Sequence, residues 1–287
     1  MDSIISVIES RADALTCAFH SPELADRARR RADVWADAER SDGNKVSNFR
    51  THGYDCWQVG RLAFGSRPDG VLVKLTDDLA ETHLEELVST ASNVSRVDFC
   101  VTARCSPRLK EVALLHYAEA VSHYESNPMS AEPSHQERAT GGETCYLGRR
   151  TSDWYFRCYD KERESIDLDD GPKALHYAGC WRYELEIKGP NALIQARHYA
   201  TVADTRTWVQ SMLWDYATRH GLAPVFGPAG EVEVPKSWRR RSDRDSKLAW
   251  LGHSVRPTVR WLLTNTDRDA IMAILGLDRP SAGGPVV

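Results

Sequence analysis

Three segments of this chain alternate polar and apolar residues with a period of two. Arg96, Asp98, Cys100 and Thr102 form the first series, Tyr155, Arg157, Tyr159 and Lys161 the second, and Arg182, Glu184, Glu186 and Lys188 the third. In an extended strand successive side chains point to opposite faces, so each series occupies one face. Trp154, Phe156 and Cys158 then turn the other way, towards a core. Three such strands side by side would gather carboxylates, cations and phenols on one side of a sheet. Cross-strand salt bridges on a solvated face are the plain alternative, and spacing alone leaves it open.

The remaining sequence surrounds these strands with helices. Residues 3–40, rich in Ala, Arg, Asp and Glu, are expected to be helical and divided in two at Pro22. Residues 56–59 and 71–75 are strand-like about a turn at Gly65–Gly70, and Thr76-Asp-Asp opens a helix to about Thr90. A strand over 94–101 precedes a helix from Pro107 to about Glu125. A loop over 126–142 leads to a hairpin of strands 144–148 and 154–161. A polar loop (162–176), a strand (180–188) and helices over 191–220 and 246–277 complete the chain. This is an α+β pattern, with antiparallel strands between about 54 and 188 and a basic helical tail. The expected division is 1–90, 91–220 and 221–287, or 1–220 as one domain.

Composition excludes several classes. The 287 residues are 41% hydrophobic and 27% charged, as expected of a globular protein. There is no apolar run long enough to span a membrane, and a cytoplasmic location is the default expectation. The seven cysteines include no Cys-x-x-Cys pair and read as reduced thiols. His116 and His123, seven apart and without a third ligand, read as surface histidines rather than a metal site. The net charge of −4 argues against non-specific coating of nucleic acid. Residues 236–260 nevertheless hold eight Lys or Arg against two Asp, a local charge of about +6.

The chemistry resides in the three series. Asp98 and Glu184, with Glu186, offer carboxylate oxygens to a hard divalent cation such as Mg²⁺ or Mn²⁺. The arginines can neutralise a phosphoryl group, and a tyrosine can attack it. Arg149, Arg150 and Ser152, at a turn beside the tyrosine strand, suit phosphate contact. Arg157, Lys161 and Arg182 add cations, and Trp238-Arg239-Arg240-Arg241 interleaves an aromatic with cations, as nucleic-acid surfaces do. Asp98, Glu186 and Lys188 can equally be read as a metal-nuclease core that activates water. No phosphate-binding loop for ATP is present.

Cys145-Tyr-Leu-Gly-Arg-Arg-Thr-Ser-Asp-Trp-Tyr-Phe-Arg-Cys-Tyr-Asp-Lys161 resembles the signature of the Rep_trans family of replication-initiation proteins, a Tyr-x-Gly-x-Arg/Lys-x-Ser hairpin followed by Arg-x-Tyr-Asp/Glu-Lys. Arg96-Val-Asp98 and Arg182-Tyr-Glu184 resemble the family's flanking Arg-x-Asp and Arg-x-Glu strands. Leu248–Leu251 and Val255–Thr258 resemble the tails of filamentous-phage and related initiators. The resemblance implies an HUH-like antiparallel sheet flanked by helices and a rolling-circle initiator or relaxase of a mobile element. Such an enzyme nicks one strand of origin DNA, stays attached through a 5′-phosphotyrosine, and religates. It implies Tyr159 as first choice of nucleophile and Tyr155 as second, with Asp98, Glu184 and Glu186 as metal ligands. Origin DNA is the implied partner, with a host helicase and a second copy of the chain as further expectations.

The chain lacks the His-hydrophobe-His pair of other rolling-circle nucleases. It also carries Thr102 where a second acidic residue is common in the family. A weakened metal site, and with it a non-enzymatic origin-binding protein, is the reading this motivates.

Overall fold

A single ten-stranded antiparallel sheet organises the protein in a computed structural model. The structure describes residues 4–51, 53–106, 109–139, 141–232 and 234–235. The strands are β1 (Ile4–Phe19), β2 (Val46–Thr51), β3 (Tyr54–Val59), β4 (Leu62–Arg67), β5 (Gly70–Thr76), β6 (Asn93–Ser106), β7 (Pro133–Glu137), β8 (Glu143–Leu147), β9 (Trp154–Asp160) and β10 (Cys180–Lys188). Their spatial order is β2-β3-β4-β5-β1-β6-β10-β9-β8-β7. Among the described residues seven helices join them: α1 (Pro22–Ser41), α2 (Asp77–Thr90), α3 (Val112–Ser126), α4 (Lys161–Asp167), α5 (Gly171–His176), α6 (Gly189–Tyr199) and α7 (Thr205–Arg219). The antiparallel α+β architecture is the one expected. Among the described residues no helix is long and apolar enough to cross a membrane.

One face of the sheet is apolar, and α1, α2, α3, α6 and α7 cover it. Val97, Phe99, Val101, Phe156, Cys158, Tyr183, Leu185 and Ile187 point there and are fully buried. Phe99 packs against Tyr199 and Trp208, at ring separations of 5.2 and 5.3 Å. Burial of this kind, at roughly 25 cal/mol per Å² of apolar surface, is what holds the long central strands flat against their helices. The other face carries the charged series of β6, β9 and β10, so the alternation expected along those strands is present.

Four expectations fail, for distinct reasons. Residues 4–19 are a strand and not a helix, and only Pro22–Ser41 is helical. Three register shifts in the β1–β6 ladder, at Val7/Glu9, Ala12/Ala14 and Thr16/Cys17, break the period-two pattern that would mark β1 as extended. The expected turn at 65–70 is mostly strand, because β4 continues through Arg67 and only the Pro68-Asp69 pair turns. The expected loop at 126–142 contains the edge strand β7, and the polar loop at 162–176 contains α4 and α5. Asp160 and Asp170 cap these two helices, accepting the backbone N–H of Arg163 and Lys173. The helices expected over 246–277 and the basic segment at 236–260 lie outside the described residues.

Candidate active site

The register stacks the polar face in rows that cross the strands. Tyr155 lies opposite Glu186, and Glu186 opposite Asp98. The next row runs Arg157, Glu184, Cys100, Arg11, and the one after it Tyr159, Arg182, Thr102, Glu9. The three expected series are thus brought together, and β1 adds a fourth that sequence reasoning missed. Glu9, Arg11 and Asp13 alternate with small residues, a period-two signal that the alanine-rich composition masked.

The third row is an internal ion-pair network. Arg182, 1% exposed, donates to Glu9, to Asp13 at 3.3 Å and to Thr102 Oγ1 at 2.9 Å. Glu9 also accepts from the Tyr177 hydroxyl at 2.8 Å and from Thr102 at 2.8 Å. Tyr177, which precedes β10, roofs this end of the face, its ring centroid 5.5 Å from the Arg182 guanidinium carbon. The expectation that Arg182 holds phosphate is therefore corrected: its guanidinium is enclosed by carboxylates. Thr102 belongs to the same network. It stands four residues along β6 from Asp98, roughly 13 Å at the strand rise, too far to complete a site there.

In the second row Glu184 is fully engaged. Its Oε1 accepts the Tyr159 hydroxyl at 2.5 Å and its Oε2 accepts Arg157 Nε at 2.5 Å. Burial opposes ionisation of Glu184, but Arg157 and Arg182 outweigh it and hold its pKa below the ordinary value. Burial pushes the Tyr159 phenol well above its usual range, and the facing Glu184 charge adds to this. Lys161 lies 5.6 Å from the Tyr159 ring centroid but pairs with Glu164 at 2.5 Å.

The first row is different. Arg96 bridges both carboxylates, reaching Asp98 Oδ1 at 2.7 Å through Nε and Glu186 Oε2 at 2.7 Å. Lys188 pairs with Glu186 at 2.6 Å and donates to the Arg150 carbonyl. Burial raises the Asp98 pKa, with Arg96 pulling the other way. Among the described residues the Tyr155 hydroxyl has no hydrogen-bond partner. Its ring lies 6.0 Å from the Arg150 guanidinium carbon and 5.9 Å from Lys188 Nζ, and stacks on Tyr146 at 5.7 Å. Burial, then Tyr146, raises its pKa, while Arg150 and Arg157 lower it.

Gly148, at φ 84°, begins the turn that delivers Arg150 to this row. Within the turn the Ser152 hydroxyl accepts the Arg149 N–H at 3.2 Å, and the exposed Arg149 side chain pairs with Glu132 at 2.9 Å. Arg239, Arg240 and Arg241 lie outside the described residues. His116 is buried, not on the surface, with Nε2 2.9 Å from the Tyr183 hydroxyl.

The profile of the replication initiation factor family, Rep_trans, matches residues 94–273, which span β6, the tyrosine strand and β10. The chain belongs to this family. It is also similar to a solved rolling circle replication initiator protein from Geobacillus stearothermophilus. That likeness has 16% identity, covers 74% of this chain and 84% of the other, and has a TM-score of 0.45. No curated protein matches the chain.

Among the described residues no three His, Cys, Asp or Glu side chains converge as a metal cage. Asp98 and Glu186, adjacent across the ladder and sharing one arginine, suit a cation of the Mg²⁺ kind, which takes one or two carboxylates and fills its shell with water and phosphate oxygens. Arg96 supplies the positive charge that balances the two carboxylates. Glu184, committed to Arg157 and Tyr159, is not in that pair.

Proposed function

We propose that this replication initiation factor nicks and rejoins single-stranded DNA at its origin, and that Tyr155 is the nucleophile. The observation that carries the choice is the contrast between the two phenols. The Tyr159 hydroxyl is tied to Glu184, whereas among the described residues the Tyr155 hydroxyl is unpartnered and flanked by Arg150 and Lys188. This reverses the order that the signature implies.

In this reading Arg150 and Lys188 hold the scissile phosphodiester against Tyr155. The phenol oxygen forms a bond to phosphorus, the bond to the 3′ oxygen breaks, and the strand's 5′ phosphate stays on the tyrosine. The phenol proton passes to water, and the departing 3′ oxygen takes one up. Religation reverses these steps without ATP, since the phosphodiester energy is kept in the phosphotyrosine. Asp98 and Glu186 would hold a divalent ion, which when bound polarises the phosphoryl oxygen. Arg96 maintains their geometry in its absence. Arg157 holds Glu184 and, through it, Tyr159 in the neighbouring row.

The test is covalent. The protein and its Tyr155→Phe and Tyr159→Phe variants are incubated with Mn²⁺ and a randomised single-stranded pool, and adducts are mapped by mass. Loss of the adduct in Tyr155→Phe alone is expected; loss in Tyr159→Phe alone would restore the other tyrosine.

One observation favours a second reading. Asp98, Glu186 and Lys188 converge as a water-activating nuclease would require. That enzyme would cut DNA without an adduct and would tolerate Tyr155→Phe.

A further inference from the structure

The two halves of the sheet repeat one topology. β1 is followed by α1 and then β2–β5, whose last strand returns to pair with β1 before α2. β6 is followed by α3 and then β7–β10, whose last strand returns to pair with β6 before α6. From its outer edge inward, each half reads the same: β2-β3-β4-β5-β1 and β7-β8-β9-β10-β6. β1 and β6 pair antiparallel at the centre, so a two-fold rotation perpendicular to the sheet relates the halves and preserves the face.

The backbone fixes the register of this repeat. β5 ends at Thr76, and Asp77 opens α2 at φ 56°. β10 ends at Lys188, and Gly189 opens α6 at φ 60°. A positive φ is costly for aspartate, so its appearance at the same junction marks equivalent positions. Matching the junctions sets Lys74 against Glu186. The ladders then set Thr16 against Asp98 and Ala63 against Tyr155. At these three places the first half has neither nucleophile nor carboxylate. It has a lysine instead.

That lysine continues a row of the active face. Lys74 pairs in register with Thr16, Thr16 with Arg96, and Arg96 with Lys188. Ala63 and then Gln58 extend the row outward from Lys74. With Arg150, four cations line this path against the two carboxylates Asp98 and Glu186. Lys74 is half-buried and has no carboxylate within ion-pair distance among the described residues. Burial, then Arg96, holds its pKa below the ordinary ammonium value, with Asp98 and Glu186 pulling the other way.

We propose that the first half is a catalytically empty copy of the second that binds the flank of the cleaved strand, with Lys74 contacting a phosphate. The strand runs from Tyr155 past Lys188 and Arg96, across the pseudo-two-fold axis, onto β5. From β10 to β5 the path crosses three strand spacings, roughly 14 Å, about the reach of a few nucleotides. A polyanion is the occupant that this row of cations complements. This rests on the DNA reading of the site, but it is read out by binding and not by bond formation.

The test uses the full chain in EDTA, so that no metal-assisted cutting intervenes, with fluorescein-labelled oligothymidylates of about 2 nucleotides, too short to span from the Tyr155 site to Lys74, and of about 24. Anisotropy titrations across salt give the slope of log affinity against log salt. Lys74→Met should lower that slope by about 0.7 for the long strand and leave the short one unchanged. Gln58→Lys, an exposed position on the same row, should steepen the long-strand slope by about the same amount and tests the track even if Lys74→Met does not fold. Unchanged slopes in both variants overturn the proposal. Equal loss on both strand lengths also overturns it, because Lys74 would then serve the Tyr155 site and not a flank. A failed adduct assay with these slope changes intact would reject the nicking reading alone.

Discussion

Arg182 shows how one residue type at one spacing can mean two things. In the sequence it reads as a phosphate contact in an Arg-x-Glu strand; in the fold it is the centre of a buried network with Glu9, Asp13 and Thr102. Removing one partner of such a network leaves charges uncompensated, so Arg182→Ala should destabilise by about 3–5 kcal/mol in urea unfolding, with DNA affinity falling only through unfolding. The network also has an acid signature. Burial raises the Glu9 pKa, but Arg182, Tyr177 and Thr102 outweigh it and bring it from 4.5 to about 2. A depressed carboxylate contributes stability that is present above its unfolded pKa and lost as pH falls through the folded value. Glu9 should therefore contribute about 2 kcal/mol, after allowance for its partial exposure, that disappears between pH 4.5 and about 2. Denaturant midpoints of Glu9→Gln across that range should show the acid limb flattened. Tyr155 gives the opposite kind of prediction. Its pKa is raised, so at neutral pH little phenolate exists, and single-turnover adduct formation should climb steadily from pH 7 to 9. A plateau near pH 7 would reject an unassisted phenol. None of the hydrogen-bond commitments that separate Tyr155 from Tyr159 is legible in the sequence, because both residues share one face of one strand.

At the scale of elements, legibility follows the regularity of the ladder. β9 and β10 alternate without interruption and are readable to within a residue or two. β1 is not, because its shifts of register break the period and its alanines imitate a helix, although it is the strand that brings Glu9, Arg11 and Asp13 to the face. β7 escapes for another reason: an edge strand of Pro-Ser-His-Gln-Glu buries almost nothing and carries no hydrophobic pattern. The two strand-to-helix junctions are a further element that sequence reading passes over, since Asp77 does not announce a left-handed backbone. Gly189 does. No atom lies within 4 Å of where its Cβ would be, so substitution there meets only the conformational cost. Gly189→Ala should accordingly lower stability by about 1 kcal/mol, measured by denaturant titration, without altering the packing of α6.

In the whole molecule, the strand chemistry and the densest positive charge occupy different parts of the chain. All ten described strands and every side chain of the candidate site lie before residue 236, and Met1–Ser237 form one compact unit. The cationic segment at 236–260 carries a larger local charge than the row beside Tyr155 and lies outside the described residues. Under the proposed reading the sheet would perform the strand chemistry, and the charge of the following segment would add sequence-independent attraction to duplex. A fragment ending at Ser237 should unfold cooperatively and keep the Tyr155 adduct on single-stranded substrate. Its duplex binding should become less salt-dependent, the slope falling by about 0.9 for each phosphate that the removed cations neutralise. Adduct formation and duplex titration on the same preparation decide the point. A fragment that folds but forms no adduct would make the later residues part of the catalytic machinery. Unchanged salt dependence would place duplex binding on the sheet itself, with the row from Arg150 to Lys74 as its cationic path.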